Sequence, residues 1–310
     1  MVGFHDARPE RAAQVASELG VRAFDSVAAL IDACDALTIA VPTPAHFAVA
    51  KPALEHGRHL LIEKPIAASL PEADELLAIA KRSGALIQTG HVERFNRAVR
   101  AALPFVEVPR FIDSDRLAPF NPRGSDVAVV LDLMIHDIDL VLTLVGSQVA
   151  DVAAVGVPVL TPFVDIANAR VQFASGAVAN ITSSRVSRER MRKVRIFQQS
   201  GYISLDLASG DGEFYRLRGD VDLAALAKGP LALEAFVERI PLDAPQGEPL
   251  RLEFESFISA IRGEHPVVVT GEDGREALAV ALRIVREIER TLPSLAGAAG
   301  QVGSGTVARA

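Results

Sequence analysis

One cysteine, Cys34, and no tryptophan occur in 310 residues. A single thiol excludes an internal disulfide and any cysteine-rich metal cluster, and it fits a reducing compartment. No apolar run approaches the roughly 20 residues needed to cross a bilayer. The opening Met1-Val2-Gly3-Phe4-His5-Asp6 has neither the basic patch nor the apolar stretch of a secretory signal. A soluble, cytoplasmic protein without a membrane partner is expected. Positive charge is not in excess either: 32 Lys and Arg against 39 Asp and Glu leave a net charge of −7, so no nucleic-acid partner is expected. The 49% hydrophobic and 23% charged content excludes disordered and collagen-like chains. No internal repeat is visible, and the length suits two domains sharing one cleft.

The first part alternates short apolar runs with amphipathic ones. Val2–His5 reads as a strand ending at Asp6, and Pro9 opens a helix in which Ala12, Val15, Ala16 and Leu19 share one face. A short strand over 21–24 and a short helix over 26–31 follow. Ala36–Val41 is apolar nearly throughout, as a strand covered on both faces must be. Pro44 opens a second long helix, Pro52 interrupts it and Gly57 closes it. The strand His59–Ile62, a helix over 71–82 and the strand Ala85–Gln88 complete an alternation that predicts an α/β fold with a doubly wound parallel sheet. After Phe95 the pattern changes. Val127–Val145 reads as one helix ending at Gly146. Beyond Val152 come strands and hairpins with turns at Ser175-Gly176 and Ser200-Gly201, then two amphipathic helices. This predicts an α+β domain on an open, mostly antiparallel sheet. The expected boundaries are 1–97, 98–294 with the closing helices, and a loose tail over 295–310.

Five places have residues suited to chemistry. Asp6, at a strand end entering a helix, suits the ribose hydroxyls of a dinucleotide and repels a 2′-phosphate; it equally suits a helix cap. Glu63-Lys64-Pro65 ends the strand His59–Ile62, where open α/β sheets bind ligands. Pro65 biases Lys64 to extended backbone, so a partly buried amine there can exchange protons with a hydroxyl; a plain Glu63–Lys64 ion pair is the alternative. Asp132, His136 and Asp139, at i, i+4 and i+7, form a polar stripe on an apolar helix, with Asp132 placed to orient His136 as a base. The alternative is a satisfied core network, and one His with two Asp is thin ground for metal ligation, so no metal site is assigned. Arg94 and Asn96, in Gly90–Asn96 at the domain junction, suit a polar substrate, while Glu93 and Arg94 also read as a helix-surface pair. Arg185, Arg188, Arg190, Arg192, Lys193 and Arg195 suit a phosphate-bearing substrate or a charged solvated turn.

Together these segments resemble the glucose–fructose oxidoreductase/inositol dehydrogenase (Gfo/Idh/MocA) family across nearly the whole chain. The motifs that carry the resemblance are Val41-Pro42-Thr43-Pro44 with His46, Glu63-Lys64-Pro65, Gly90–Asn96 and Asp132-x-x-x-His136. The resemblance implies a Rossmann-like nucleotide-binding domain followed by an open-faced sheet domain, and hydride transfer between a nicotinamide and a secondary alcohol of a sugar, cyclic polyol or nucleotide sugar. It implies that Lys64 and His136 are the acid/base pair and that Asp132 positions them and the substrate. Val41, Pro42, Thr43, His46, Glu63 and Lys64 then serve the cofactor with Asp6, which favours NAD over NADP. Arg94, Asn96, Asp132 and His136 serve the substrate. A homodimer or homotetramer is implied as well. Gly90–Asn96 and 184–207 look most like sugar-nucleotide 3-dehydrogenases acting on N-acetylhexosamines.

The family pattern begins with a strand and a G-x-G-x-x-G turn ahead of the acidic strand end, whereas here the sequence opens on the second strand. A misplaced start is the expected cause, with roughly 30 further residues encoded upstream, the size of a βα dinucleotide unit. The competing expectation is a non-catalytic sugar-binding or interaction protein that has lost dinucleotide binding.

Overall fold

The computed structural model describes residues 1–122, 124–218 and 236–292. Phe4 bridges Ala23 in parallel, with Phe24 N–H donating to the Phe4 carbonyl at 2.8 Å. The expected first two strands are thus reduced to one bridged pair, which stands apart from the sheet. Between its two halves runs α1 (Pro9–Leu19), opened by Pro9. After α2 (Val27–Asp32), the chain forms β1 (Ala36–Ile39), α3 (His46–Glu55), β2 (His59–Glu63), α4 (Leu70–Ser83) and β3 (Ile87–Gly90). The strands pair in parallel in the order β1-β2-β3. Helix α4 begins with a capping box, in which Ser69 accepts from the Glu72 N–H and Glu72 returns the bond to the Ser69 N–H. Strand β3 starts two residues later than expected, because the Ala85 N–H still closes α4 and the Leu86 N–H is taken by the His59 ring at 2.9 Å.

The short helix α5 (Arg97–Ala102) leads into β4 (Phe111–Leu117), the central strand of the second sheet. The expected single helix over 127–145 is two geometries: a π-helical turn over Val130–Met134, then α6 (Ile135–Val145), ended by Gly146 in the left-handed conformation. Strands β5 (Val149–Val157), β6 (Ile166–Phe173), β7 (Val178–Ser184), β8 (Met191–Gln198), β9 (Gly201–Asp206), β10 (Asp211–Leu217) and β11 (Val237–Leu242) follow. Their order is β11-β10-β9-β8-β4-β7-β6-β5, and among the described residues only β4 and β7 run parallel in this sheet. One face packs on α6 and the C-terminal helix; the other is open, so β6 alternates buried Ala167, Ala169 and Val171 with exposed Asn168, Arg170 and Gln172.

Helix α7 (Pro249–Ile261) returns to the first sheet, and α8 (Gly271–Thr291) packs on both cores. Leu278 enters the core between the first sheet and its helices, while Ala281, Ile284 and Ile288 enter the core of the second sheet. The two sheets are therefore joined through a shared helix as well as through the chain between them. The expected tail over 295–310 lies outside the described residues.

Helix α7 places Glu253 under the first sheet, 1% exposed, its Oε1 without a partner among the described residues. Burial, reinforced by the nearby Glu63 carboxylate, pushes its carboxyl up to about 8 from an ordinary 4.5. Between those values the folded state keeps a proton that the unfolded chain releases, so stability falls as pH rises from about 4.5 to 8. Glu253→Gln removes this loss. The variant should exceed the wild type in urea unfolding at pH 8.5, by an amount on the order of 5 kcal/mol if the whole shift is expressed. The difference should vanish below about pH 4.5; a constant difference across pH would exclude Glu253 as the titrating group.

Candidate active site

The buried Leu60-Leu61-Ile62 run fixes β2 between its neighbours, and its carboxyl end delivers Glu63 and Lys64. His46, 1% exposed on α3, clamps this corner. One ring nitrogen lies 2.9 Å from the Val41 carbonyl and the other 2.9 Å from the Pro65 carbonyl. The end of β1 and the Lys64–Pro65 turn are thereby tied together. At the matching end of β3, Gly90 is required by close approach: a Cβ there would stand 3.0 Å from Glu63 Cα.

Lys64 reaches across the domain junction to the π-helical turn. Its Nζ donates to the Asp132 backbone carbonyl at 2.5 Å and lies 3.6 Å from the Asp132 carboxylate. Burial pulls the Lys64 ammonium down from its ordinary value, against the opposing pull of Asp132 and Glu63. The expected Asp132–His136 contact is not what forms. The wider π turn takes Asp132 out of the i, i+4 register assumed for a regular helix, and Nδ1 of His136 has no partner among the described residues. Burial, with Lys64, Arg116, His91 and Arg192 around it, holds His136 well below its ordinary pKa. It is a neutral imidazole able to accept a proton. Lys64, Asp132 and His136 are thus brought together, with the lysine as the hub.

The helix carrying His136 is pinned by a buried ion network that the sequence reading missed. Arg116, 3% exposed, donates through Nε to Asp137 at 2.6 Å and through Nη1 to Glu93 at 2.8 Å; Ser114 adds a bond to Asp137 at 3.0 Å. Glu93 is therefore no surface partner of Arg94. Arg94 instead forms two bonds to Asp139 at 2.6 and 2.7 Å, which also removes Asp139 from the expected catalytic stripe. The side chain of Asn96 caps α5 through the Ala98 N–H and donates to Glu93 and to the Leu207 carbonyl. Asn96 has its bonding capacity spent inside the protein, whereas Arg94 commits Nε and Nη2 to Asp139 and still borders a cavity. One signal for Arg116 lay in the sequence, since it falls in phase with Ile112 and Ser114 on the core side of β4.

The basic cluster divides. Arg185, 3% exposed, binds Asp165 at 2.8 Å and the Gly124 carbonyl at 2.8 Å. This anchors a loop lying on Asp132: Gly124 has φ +80°, and a Cβ there would stand 2.8 Å from the carboxylate. Arg195 pairs with Asp113 across the open sheet face. Arg192 is different. It is cross-strand from Arg116, its side chain is 42% exposed, and its only ion pair among the described residues is a loose 3.7 Å approach to Glu93. Arg188 and Arg190 are exposed.

Asp6 accepts the Arg8 N–H at 2.8 Å in a local turn, with its carboxylate still partly exposed. The strand expected over 36–41 stops at Ile39 and is covered on one face only, with Thr38 and Ala40 exposed on the other; Val41, two residues beyond it, is 36% exposed, while its carbonyl is held by His46. An apolar side chain bared there fits an aromatic ring lying over the strand ends, beside Pro42, Thr43 and Lys64. These residues fit the nicotinamide end of a dinucleotide, and Asp6 fits its adenosine ribose. No helix among the described residues is long and apolar enough to cross a membrane.

Two family profiles match the chain. One, described as an oxidoreductase family with an NAD-binding Rossmann fold, covers residues 1–91; the other, the GFO/IDH/MocA C-terminal domain, covers residues 105–204. The UDP-N-acetylglucosamine 3-dehydrogenase of Acidithiobacillus ferrooxidans is 40% identical over 293 residues, covering 94% of this chain and 91% of that protein. A solved structure of that enzyme superposes with a TM-score of 0.85 at 39% identity, over 94% of this chain and 90% of the other. The myo-inositol 2-dehydrogenase of Thermotoga maritima is 25% identical, over 92% of this chain and 87% of that protein. A levoglucosan dehydrogenase in complex with NADH shares the fold at a TM-score of 0.82 and 18% identity, over 94% and 88%.

Removing Arg116 alone leaves Asp137 and Glu93 as buried carboxylates without their cation. Arg116→Leu should cost about 3–5 kcal/mol in chemical denaturation. A loss under about 1 kcal/mol, typical of an exposed pair, would show that solvent reaches the network.

Proposed function

The chain belongs to the Gfo/Idh/MocA family of NAD-binding oxidoreductases, and on that footing we propose that it transfers hydride at C3 of a UDP-N-acetylhexosamine. The observation that carries the proposal is the meeting of Lys64, Asp132 and His136 beside the carboxyl ends of a parallel sheet. The substrate class is supported by the 40% identity to a UDP-N-acetylglucosamine 3-dehydrogenase across 94% of the chain. Arg192 adds support, being a half-exposed guanidinium next to the acid/base set and suited to a diphosphate.

The nicotinamide, when bound, takes up the hydride or returns it. The protein's part is the proton and the geometry. Neutral His136 and the partly desolvated Lys64 stand ready to share the hydroxyl proton, so the oxygen is free to become a carbonyl. Asp132 holds Lys64 through its backbone oxygen and keeps a carboxylate beside the ammonium. The Gly124 loop, fastened by Arg185, packs closely against that carboxylate. Asp6 would discriminate against a 2′-phosphate.

The open face of the second sheet is read as the contact with a second copy of the chain. Phe111, Phe197, Tyr202 and Tyr215 form a row across four strands, with ring centroids 5.5, 4.8 and 5.6 Å apart. Such an aromatic row bordered by charged pairs has the makeup of an interface core and rim. Sedimentation should give a dimer or tetramer that Phe197→Glu converts to monomer; a monomeric wild type rules this out.

With UDP-N-acetylglucosamine and NAD, absorbance at 340 nm should rise, while inositol should give little. Lys64→Met should lower kcat by about 10³-fold or more and leave NADH affinity, followed by cofactor fluorescence, near normal. Arg192→Gln should mainly raise KM for the nucleotide sugar. Turnover by Lys64→Met at the wild-type rate would remove Lys64 from the mechanism, and equal turnover of inositol would remove the nucleotide-sugar assignment.

A further inference from the structure

We infer that His91 is a second histidine in the proton path, standing behind His136 and carrying the substrate's proton away from the reacting oxygen. The inference rests on the dehydrogenase reading and deepens it. His91 follows β3 directly and is 1% exposed. Its backbone is fixed, the N–H donating to the Thr89 carbonyl at 2.8 Å and the carbonyl accepting the Arg94 N–H at 3.1 Å. Its ring, by contrast, is uncommitted: neither Nδ1 nor Nε2 has a partner among the described residues. Nδ1 of His136 is in the same condition. Buried polar nitrogens are normally bonded, because desolvation without a partner is unfavourable. Three open ones in adjoining rings are poorly explained by packing alone.

The two rings meet edge to face, with centroids 6.4 Å apart and planes at 89°. The ring torsion of histidine has a broad minimum, so rotation of either ring turns a nitrogen toward its neighbour. The surrounding charges give the pair a direction. His136 is surrounded by cations: Lys64 from the end of β2, Arg116 from β4 and Arg192 from β8. His91 also feels Lys64 and Arg94, but it faces two carboxylates as well, Asp139 from α6 and Asp273 from α8. A proton on His136 is repelled from the substrate side and attracted toward His91. Arg94 and Asp273 in turn line a cavity of about 430 Å³ with Thr143, Ser147 and Glu276, at the junction of α6 and α8. In this proposal the proton leaves through that cavity, whose lining includes two of the charged groups acting on His91 though not His91 itself.

In the oxidising direction the substrate O–H bond breaks and its proton goes to one nitrogen of His136. The electron pair left on oxygen forms the carbonyl as the adjacent carbon gives up its hydride. His136 then releases a proton from its other nitrogen to His91, which passes it to solvent at the cavity. One proton leaves per turnover, and both imidazoles return to the neutral form. His91 acts through His136 and is a positioning and relay residue, with no contact to the hydride.

The test uses His91→Phe, which keeps an aromatic ring and removes both nitrogens, beside the wild type and Lys64→Met. In the cofactor-free protein, the ¹⁵N ring resonances of His136 should shift in position and pH response when His91 is replaced. During turnover, kcat should fall by about 10–100-fold with a larger solvent isotope effect, KM should change little, and added imidazole should restore part of the rate. Where His91→Phe fails to fold, His91→Gln supplies the same readouts. Unchanged His136 resonances, an unchanged isotope effect, or a rise in KM at constant kcat would overturn the relay. An inactive Lys64→Met beside a fully active His91→Phe would overturn the relay alone. Full activity in both would overturn the dehydrogenase reading beneath it.

Discussion

Arg116 is the residue on which the site depends. Its guanidinium, buried on the central strand of the second sheet, holds Asp137 of the helix that carries His136 and Glu93 of the segment that leaves the first sheet. Three charges are removed from water to make this joint, and such an arrangement is seldom a net gain in stability over apolar packing. What it supplies is position. Asp137 and His136 are adjacent, so the angle at which α6 meets β4 is also the angle at which His136 faces Lys64. The Arg94–Asp139 pair fixes the same helix one turn further on, and α8 closes the arrangement by packing on both cores.

With the frame fixed, the electrostatics of the site follow from burial. Burial, with the cations that crowd the imidazole of His136 adding to it, keeps the ring neutral where an ordinary histidine would be partly charged. Lys64 is drawn down by the same burial and held back by Asp132 and Glu63. The two bases are therefore kept from being charged together. The π turn contributes by offering the Asp132 backbone carbonyl to Lys64 while leaving its carboxylate beside the ammonium. A regular helix would have aligned Asp132 with His136 instead.

Much of this was legible in the sequence, and the remainder has identifiable causes. The βα alternation, the capping signals and the position of Lys64 at a strand end rest on local periodicity and turn chemistry, which a sequence carries directly. The strand expected over 2–5 is a single Phe4 bridge, since four residues form a strand only with a neighbour to pair with. The π turn was invisible because an apolar run has no phase mark at the extra residue. Arg116, Asp137 and Glu93 come together only in three dimensions, from segments more than twenty residues apart. Asp139 matched the catalytic stripe in spacing yet belongs to Arg94, which shows that a polar residue in phase can be structural. His91 has no periodic or motif signal to mark it beside Asn96, although both of its ring nitrogens are open and the Asn96 side chain is fully bonded.

The central claim is that the Arg116 network positions the acid/base residues more than it stabilises the fold. Replacing its charges together separates the two roles: Glu93→Gln, Arg116→Met and Asp137→Asn in one chain leave no unpaired buried charge. Single-turnover hydride transfer should be measured in this variant beside its cooperative unfolding. The account predicts a folded protein with stability within about 2 kcal/mol of the wild type and hydride transfer slowed by about 100-fold or more through misplacement of His136. A folded triple variant that transfers hydride at the wild-type rate would contradict it.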